Sequence, residues 1–292
     1  MAGPRPGSVR DRGVRGLQFV DKQLVFQGAS WVEPMGSVSL FEDFIATNGT
    51  LATGNVTIAQ SGTELTAAVL SATAGPLPVG HGGWIGGKTD DIDGEIDEIA
   101  LGGVAGWLNP SRAGNGMVVA EIGFVIPVAL TARMYFVGLG SGLTGGADDD
   151  GTLSITTGTT LVDGAASGDG AGFVYSSLAT DADGFYMGAV KATTVGTAVL
   201  PVAADGSSLE TVAVDNYIKL RVEVDADGDV YFFGMEDTAT TALNRSIEVV
   251  FTGSQNAAIT ANELYLPIFS AATTTTTGVE WEIDYMFGAG AA

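Results

Sequence analysis

The chain has 292 residues, but it contains no cysteine and only one histidine, His81. Without cysteine it cannot form a disulfide framework, a thiolate metal site or a cysteine nucleophile. A serine–histidine–aspartate triad would have to use His81, and the sequence has no G-x-S-x-G elbow to accompany it. We therefore expect packing and backbone hydrogen bonds to hold the fold, and we interpret His81, which precedes two glycines, as a turn residue.

Basic residues are scarce, with 12 lysines and arginines against 34 acids, so the net charge is −22. Such a surface repels a phosphate backbone, and we expect no nucleic-acid partner. Residues 1–22 nevertheless hold five basic residues and two acids, which leaves seven basic residues and 32 acids for the rest. This division predicts a basic N-terminal arm that contacts another molecule, or alternatively a solvated terminus. The candidate contact residues are Arg5, Arg10, Arg12, Arg15 and Lys22.

Long apolar runs are also missing. Residues 1–16 have no apolar central stretch, so we expect no secretory signal. The most apolar long window, Ile122–Gly140, is interrupted by Pro127 and Arg133. It predicts two strands rather than a membrane-spanning helix, and we expect no membrane partner.

Helical periodicity is nearly absent, and short β-type runs separated by Gly, Asp, Asn and Ser dominate the chain. Many short strands at even spacing predict a sandwich or a barrel. The predicted strands are Val56–Gln60, Glu64–Leu70, Gly83–Ile85, Ile96–Leu101, Met117–Ile126, Arg133–Gly138, Leu153–Thr157, Gly172–Tyr175, Tyr186–Ala192, Ile218–Asp225, Asp229–Gly234, Ser246–Thr252, Leu264–Ser270 and Val279–Phe287. Gly140–Gly151 and Gly164–Gly172 are predicted to be long surface loops.

The clearest local pattern is a hairpin. Within Ile218–Val224, branched apolar residues alternate with Lys219, Arg221 and Glu223, which predicts one buried face and one solvated face. Asp225–Gly228 supplies the turn, because glycine takes a positive φ at little cost. The last strand alternates in the same way, and we expect one set of its residues to share the buried face: Val279, Trp281, Ile283 and Tyr285.

The N-terminal segment differs from the rest, and we divide the chain into an extended arm, residues 1–40, and a domain, residues 41–292. The arm also contains large apolar side chains, so we expect part of it to pack on the domain or on a partner. These side chains are Phe19, Leu24, Val25, Phe26, Trp31 and Val32.

Several short motifs occur in a familiar order: Phe41–Phe44, His81–Ile85, Ala120–Phe124, Phe136–Leu139, the hairpin Val222–Gly234 and the closing strand Val279–Phe287. Together they resemble the concanavalin A-like lectin/glucanase jelly roll. More narrowly, they are similar to virion proteins of tailed phages that carry this jelly roll. The resemblance covers Phe41–Phe287 and implies an all-β fold, a sandwich of two antiparallel sheets.

The resemblance also implies a function. It suggests a capsid decoration (cement) protein that binds the outer shell of the phage head, with the lattice of the major capsid protein as partner. It further implies self-association as a trimer, synthesis in the host cytoplasm and a final location on the virion surface. The alternative is a lectin-like fibre or tail component that binds a host surface glycan, for which Trp107 is the stacking candidate.

Catalysis is not expected. Retaining glucanases with this fold carry E-x-D-x-x-E on one strand, and Glu95 and Asp97 match its first two positions. The third position is Ala100, or Ile99 in the shorter spacing, so the acid/base is missing. Glu98 follows Asp97 directly, so its side chain should point to the opposite face of the strand.

Calcium is the one ion left open, and no other cofactor is expected. Four Asp-x-Asp-Gly segments resemble the start of a calcium loop, yet none has a glutamate six residues after its glycine. Because Asp-Gly is also a common turn dipeptide, we favour turns at all four. The calcium candidates are Asp91, Asp93, Asp225 and Asp227.

Overall fold

The computed structural model describes fifteen segments of the chain. They are residues 37–42, 56–60, 85–89, 96–103, 105–112, 117–126, 131–143, 153–158, 160–163, 168–179, 184–191, 194–195, 217–237, 251–255 and 259–291. Among these residues, no helix has the length and apolar character needed to cross a bilayer.

Sixteen strands and one short 3-10 turn, Pro110–Arg112, make up the described part. The strands are β1 (Ser37–Glu42), β2 (Val56–Gln60), β3 (Ile85–Lys88), β4 (Ile96–Leu101), β5 (Val118–Val125), β6 (Arg133–Gly140), β7 (Leu153–Thr157), β8 (Thr160–Asp163), β9 (Gly170–Ser176), β10 (Tyr186–Lys191), β11 (Thr194–Val195), β12 (Tyr217–Val224), β13 (Val230–Asp237), β14 (Phe251–Gln255), β15 (Leu266–Thr273) and β16 (Glu280–Ala291).

The strands form two large antiparallel sheets and one hairpin. The first sheet has the order β1-β16-β5-β12-β13-β14, with β3 pairing on the same edge of β16 as β1. The second has the order β11-β10-β9-β6-β15-β4-β2, and β7 pairs with β8 separately. Successive strands cross between the sheets, as β4, β5 and β6 do, and as β15 and β16 do. The predicted all-β, two-sheet jelly-roll sandwich is confirmed.

The main core lies between the two sheets. Alternate side chains of β5, β12, β13 and β16 face alternate side chains of β4, β6, β9 and β15. Phe124 and Phe269 meet edge to face, with ring centroids 5.4 Å apart, and Phe173 meets Phe232 at 5.5 Å. Burial of such side chains contributes roughly 1.5–3 kcal/mol each. Trp281 is fully buried here, as its alternating strand predicted.

A second apolar cluster lies on the other side of the second sheet, where the β7–β8 hairpin packs. Leu161 of β8 sits directly over Gly188 of β10, where an added Cβ would come within 2.4 Å of the leucine. The hairpin therefore shields one outer face of the sandwich. The predicted loop Gly164–Gly172 extends too far, because the buried strand β9 already begins at Gly170.

A β-bulge corrects the predicted alternation of the last strand. Ile283 pairs with Phe124 and Tyr285 pairs with Gly123, so Asp284 is an extra residue in β16. The extra residue reverses the alternation. Met286 therefore takes the next place in the main core, and Tyr285 lies on the outer face of the first sheet.

The solvated face predicted for β12 is also wrong. Ile218 to Val224 pack inward at alternate positions as predicted, but Lys219, Arg221 and Glu223 are only 5%, 6% and 7% exposed. The period of two distinguishes two faces of a strand, and it does not establish that the polar face meets water.

The predicted boundary between arm and domain falls inside a strand. β1 begins at Ser37 and pairs with β16 through Glu42, opposite Ala291 and Met286 respectively. Residues 37–40 thus belong to the first sheet. The rest of the predicted arm lies outside the described residues, as does the predicted strand Glu64–Leu70.

Candidate binding surfaces

The outer face of the first sheet carries an unusual group of buried polar side chains. β5 contributes Glu121, and β12 contributes four alternate residues, Tyr217 to Glu223. β16 adds Asp284 and Tyr285, both fully buried. The members of this group, named the outer-face network below, are Glu121, Tyr217, Lys219, Arg221, Glu223, Asp284 and Tyr285.

Arg221 lies at the centre of the outer-face network. Its Nε donates a 2.6 Å hydrogen bond to Glu223 Oε1, and its Nη2 also pairs with that oxygen. Its Nη1 lies 3.4 Å from Oε2 of Glu121, the residue directly opposite in the ladder. Burial alone would lower the pKa of Arg221, but the two carboxylates outweigh it and raise that pKa. Arg221 is thus held charged by two acids, since a buried charge needs such partners.

Two tyrosines complete the outer-face network. Tyr285 donates a 2.5 Å hydrogen bond from its hydroxyl to Glu121 Oε1, and Tyr217 donates one of 2.6 Å to Asp284 Oδ2. Burial, followed by the negative charge of Glu121, raises the pKa of Tyr285 well above its usual value. Lys219 Nζ lies 5.3 Å from the Tyr217 ring centroid and 5.8 Å from that of Tyr285, within cation–π range.

Gly123 makes room for this arrangement. It faces Tyr285 across the ladder, and a Cβ there would come within 2.4 Å of the Tyr217 hydroxyl and 2.6 Å of the Tyr285 ring. Around it, Val125, Tyr217 and Tyr285 form a small apolar cluster with Phe41 and Phe287. Sequence reasoning missed this site, although opposite charges on the neighbouring strands β5 and β12 were a signal for it.

Trp107, the glycan-stacking candidate, is half-buried rather than exposed. Its indole N–H donates a 2.7 Å hydrogen bond to the carbonyl of Leu101. An added Cβ on Gly102, where φ is +97°, would lie 2.3 Å from the indole nitrogen, and one on Gly288 would lie 3.0 Å from the ring. The ring is therefore held in one orientation between both apolar clusters, and its role in glycan stacking stays a prediction.

The carboxylates of β4 lie on opposite faces, as predicted. Asp97 is 3% exposed and points into the main core, where its Oδ2 accepts a 2.9 Å hydrogen bond from the indole N–H of Trp281. Glu98 is fully buried, and its neighbours Ile96 and Ala100 contribute to clusters on the far side of the second sheet. Asp97 therefore stabilises a core tryptophan, and Glu95 lies outside the described residues.

Asp225 organises the predicted turn. Its Oδ1 accepts hydrogen bonds from the backbone N–H groups of Asp227 and Asp229 at 2.9 and 3.0 Å. Its Oδ2 accepts one of 3.3 Å from Tyr231, whose pKa is raised by burial and then by the charge of Asp225. Gly228 takes a φ of +83°, as the predicted turn requires. The carboxylate of Asp225 therefore accepts the hydrogen bonds that stabilise the turn.

The other calcium candidates, Asp91 and Asp93, lie outside the described residues. Within the described segments, no group of three or more histidine or acidic side chains is placed to hold a metal ion. Calcium binding by these four aspartates stays a prediction. His81 and the arm residues Arg5, Arg10, Arg12, Arg15 and Lys22 also lie outside the described part.

A buried acid not singled out in the sequence lies at the start of β9. Asp169 is 1% exposed, and its Oδ2 accepts hydrogen bonds from the backbone N–H of Thr260 at 2.5 Å and the hydroxyl of Tyr265 at 3.3 Å. Burial and the negative charge of Asp169 raise the pKa values of both Glu263 and Tyr265. The hydrogen bonds of Asp169 hold residues 259–265 against the sandwich, so we interpret Asp169 as a structural residue.

No protein-family model matches the chain, and no curated protein matches it in sequence. Among solved structures, it is similar to a protein of unknown function from Shewanella oneidensis MR-1, with a TM-score of 0.54 and 11% identity over 95% of this chain and 97% of that one. The Lotus tetragonolobus seed lectin scores 0.49 at 9% identity, covering 87% and 99% of the two chains. Peanut lectin in complex with a 9mer peptide scores 0.43 at 13% identity, covering 87% and 97%.

Two of these three neighbours are lectins. The two lectin scores lie below 0.5, so they support no statement about what this chain binds. The Shewanella protein, at 11% identity, shows a shared fold and nothing further. The chain is therefore an antiparallel two-sheet sandwich by its own strand order, and the Shewanella protein has a similar fold.

Proposed function

We propose that the chain is a structural protein of a phage particle, a capsid decoration protein that binds the outer shell of the head and stabilises it. The observation that carries the proposal is the division of charge in the sequence. Five basic residues and two acids lie in residues 1–22, while the remainder holds 32 acids and seven basic residues. The resemblance to jelly-roll proteins of tailed-phage virions suggests that the assembly is a phage particle.

We assign structural roles to several carboxylates of the described part of the domain. The carboxylates of Asp97, Asp169 and Asp225 each accept hydrogen bonds that hold the fold together. Glu121 and Glu223 are occupied by Arg221. We propose that the acidic sandwich faces solvent while the basic arm binds acidic groups of the capsid lattice.

The proposed partners are the major capsid protein and two further copies of this chain in a trimer. The proposed location is the surface of the virion after synthesis in the host cytoplasm. The 36 residues that precede β1 could span up to roughly 120 Å if fully extended. We propose no enzymatic activity, and no cofactor beyond the calcium ion that the sequence leaves open.

Attachment of variants to particles tests this function. Chains lacking residues 2–22 should sediment free of particles, whereas the full chain should co-sediment with them. Replacement of the five basic arm residues by glutamine should weaken attachment at least tenfold. Replacement of the four arginines by lysine and of Lys22 by arginine keeps the charge and should preserve attachment. Equal occupancy of the full and shortened chains would contradict a role for the arm.

A second candidate function is binding of a host surface glycan, and the placement of Trp107 favours it. The indole is fixed by its bond to Leu101 and remains partly open to solvent, as a stacking platform requires. A glycan array probed with and without calcium tests the idea, with Trp107→Phe as a matched control that keeps an aromatic ring. Binding that is lost in Trp107→Ala and kept in Trp107→Phe would support it, and an array without any bound glycan would remove it.

A further inference from the structure

The outer-face network brings one buried amine together with two buried carboxyl groups. Lys219 is 5% exposed, and Glu121 and Asp284 are fully buried. The three residues come from the neighbouring strands β12, β5 and β16. Side chains of these types are rarely buried so completely, because removing an ion from water costs several kcal/mol.

Two tyrosines connect the amine with the carboxyl groups. Lys219 Nζ lies 5.3 Å from the ring centroid of Tyr217, whose hydroxyl donates a 2.6 Å hydrogen bond to Asp284 Oδ2. The same Nζ lies 5.8 Å from the ring centroid of Tyr285, whose hydroxyl donates to Glu121 Oε1. The amine is therefore held beside two rings whose hydroxyl groups contact the two carboxylates.

The strand register places the lysine within reach of the bulge in β16. Lys219 and Tyr285 both pair with Gly123, so they lie in one row, roughly 9–10 Å or two strand spacings apart. Asp284, the extra residue of the bulge, directly precedes Tyr285. Since the residue between them on β5 is a glycine, the flexible four-carbon stem of Lys219 can extend towards β16.

We propose that Lys219 and Asp284 form an amide bond, an intramolecular isopeptide cross-link between β12 and β16. A proton first moves from the ammonium group of Lys219 to the carboxylate of Asp284, because burial favours the neutral forms of an amine and an acid. The lone pair of Nζ then attacks Cγ of Asp284 and forms the new C–N bond. A second proton passes from Nζ through Glu121 to the hydroxyl group on Cγ, which leaves as water. Glu121 ends unchanged, and no oxidant or reductant is consumed.

The surroundings give the two carboxyl groups different roles. Arg221 Nη1 lies 3.4 Å from Glu121 Oε2, and its positive charge favours the ionised form of Glu121, which can accept a proton. Asp284 instead accepts the hydrogen bond of Tyr217, a donor that stabilises the negative charge developing on the oxygen during attack. The amide also removes two buried charges from the sheet, which is favourable because buried ions are costly. This inference does not rest on the proposed function.

The mass of the purified full chain tests the cross-link, because amide formation releases one water molecule. After unfolding, the chain should weigh one water molecule less than its sequence, and a protease digest should contain a branched peptide that joins residues 219 and 284. Lys219→Arg keeps the positive charge and should restore the full mass, as should Asp284→Ala. A wild-type chain that keeps its full mass would overturn the proposal, and so would a mass deficit without the branched peptide.

Two further variants test the role of Glu121 and the identity of the lysine. Glu121→Gln keeps an acceptor for the Tyr285 hydroxyl but accepts no proton, so the cross-linked form should appear about tenfold more slowly or less. Lys191→Arg, at the exposed end of β10, is the matched control and should cross-link as the wild type does. Wild-type rates in Glu121→Gln would contradict proton transfer through this residue, and loss of the cross-link in Lys191→Arg would place the bond at the wrong lysine.

Discussion

Buried hydroxyl groups of tyrosine give the sandwich a measurable pH dependence. Burial raises the pKa of Tyr135 to about 12, although the neighbouring Arg133 offsets part of the effect. The pKa of Tyr285 is also raised, by burial and by Glu121, as is that of Tyr265 by burial and Asp169. A folded-state pKa above the unfolded value of about 10 stabilises the protein fully below that pH.

We therefore predict that this stabilisation is lost as the pH rises from about 10 towards 12 and beyond. In an absorbance titration near 295 nm, Tyr135, Tyr265 and Tyr285 should remain neutral until the protein unfolds. Their ionisation should then coincide with the loss of the β-type circular dichroism. Tyr285→Phe should remove one of these late-titrating groups. Reversible ionisation of all seven tyrosines near pH 10 in the folded protein would contradict the prediction.

The contact between Asp97 and Trp281 supports a second prediction at this scale. Asp97→Ala leaves the buried indole N–H without its acceptor and should lower the free energy of unfolding by about 1–3 kcal/mol. Asp97→Asn keeps an acceptor at that place and should cost less. Urea unfolding followed by tryptophan fluorescence measures both. An Asp97→Ala variant as stable as Asp97→Asn would contradict this account of the carboxylate.

At the scale of elements, the β12–β13 turn depends on one backbone conformation. Gly228 has a φ of +83°, and a Cβ there would come within 2.3 Å of the carbonyl oxygen of Ile259. Gly228→Ala should therefore destabilise the protein by at least about 1–2 kcal/mol, through strain and displacement of residue 259. Ala226→Ser, at an adjacent turn position, is the control and should change stability little. Equal unfolding midpoints for both variants would count against the role of this turn.

The elements show which parts of the fold the sequence could predict. Hairpin β12–β13 was predictable because a run of alternating residues met an Asp-Gly turn, and both signals are local. The bulge at Asp284 was not predictable. It reverses the face to which every later side chain of β16 points, but it does not alter the residue types from which a strand is predicted. Strand β1 escaped prediction because its partner, β16, lies at the opposite end of the chain.

The candidate sites show the same limit. The opposite orientations of Asp97 and Glu98 followed from the period of two, but the partner of Asp97 did not, because Trp281 is distant in sequence. Lys219, Arg221 and Glu223 have the composition of a solvated strand face. The compensation of these buried charges depends on the neighbouring strand β5, which places Glu121 directly opposite Arg221.

The whole molecule combines an acidic sandwich with a basic N-terminal segment. Because the proposed attachment through five cations would be electrostatic, we predict that it weakens as the salt concentration rises. Particles incubated at about 1 M salt should lose the full chain, and they should regain it on return to low salt. The fold itself should stay intact, as the β-type circular dichroism would report. Occupancy that does not change with salt would contradict electrostatic attachment by the arm.

Quantitative mass spectrometry of purified phage particles tests the central claim most directly. We predict that the chain remains with intact heads through density-gradient purification, in a fixed ratio to the major capsid protein. Absence of the chain from purified heads, or an amount that varies between preparations, would contradict the proposed decoration of the capsid.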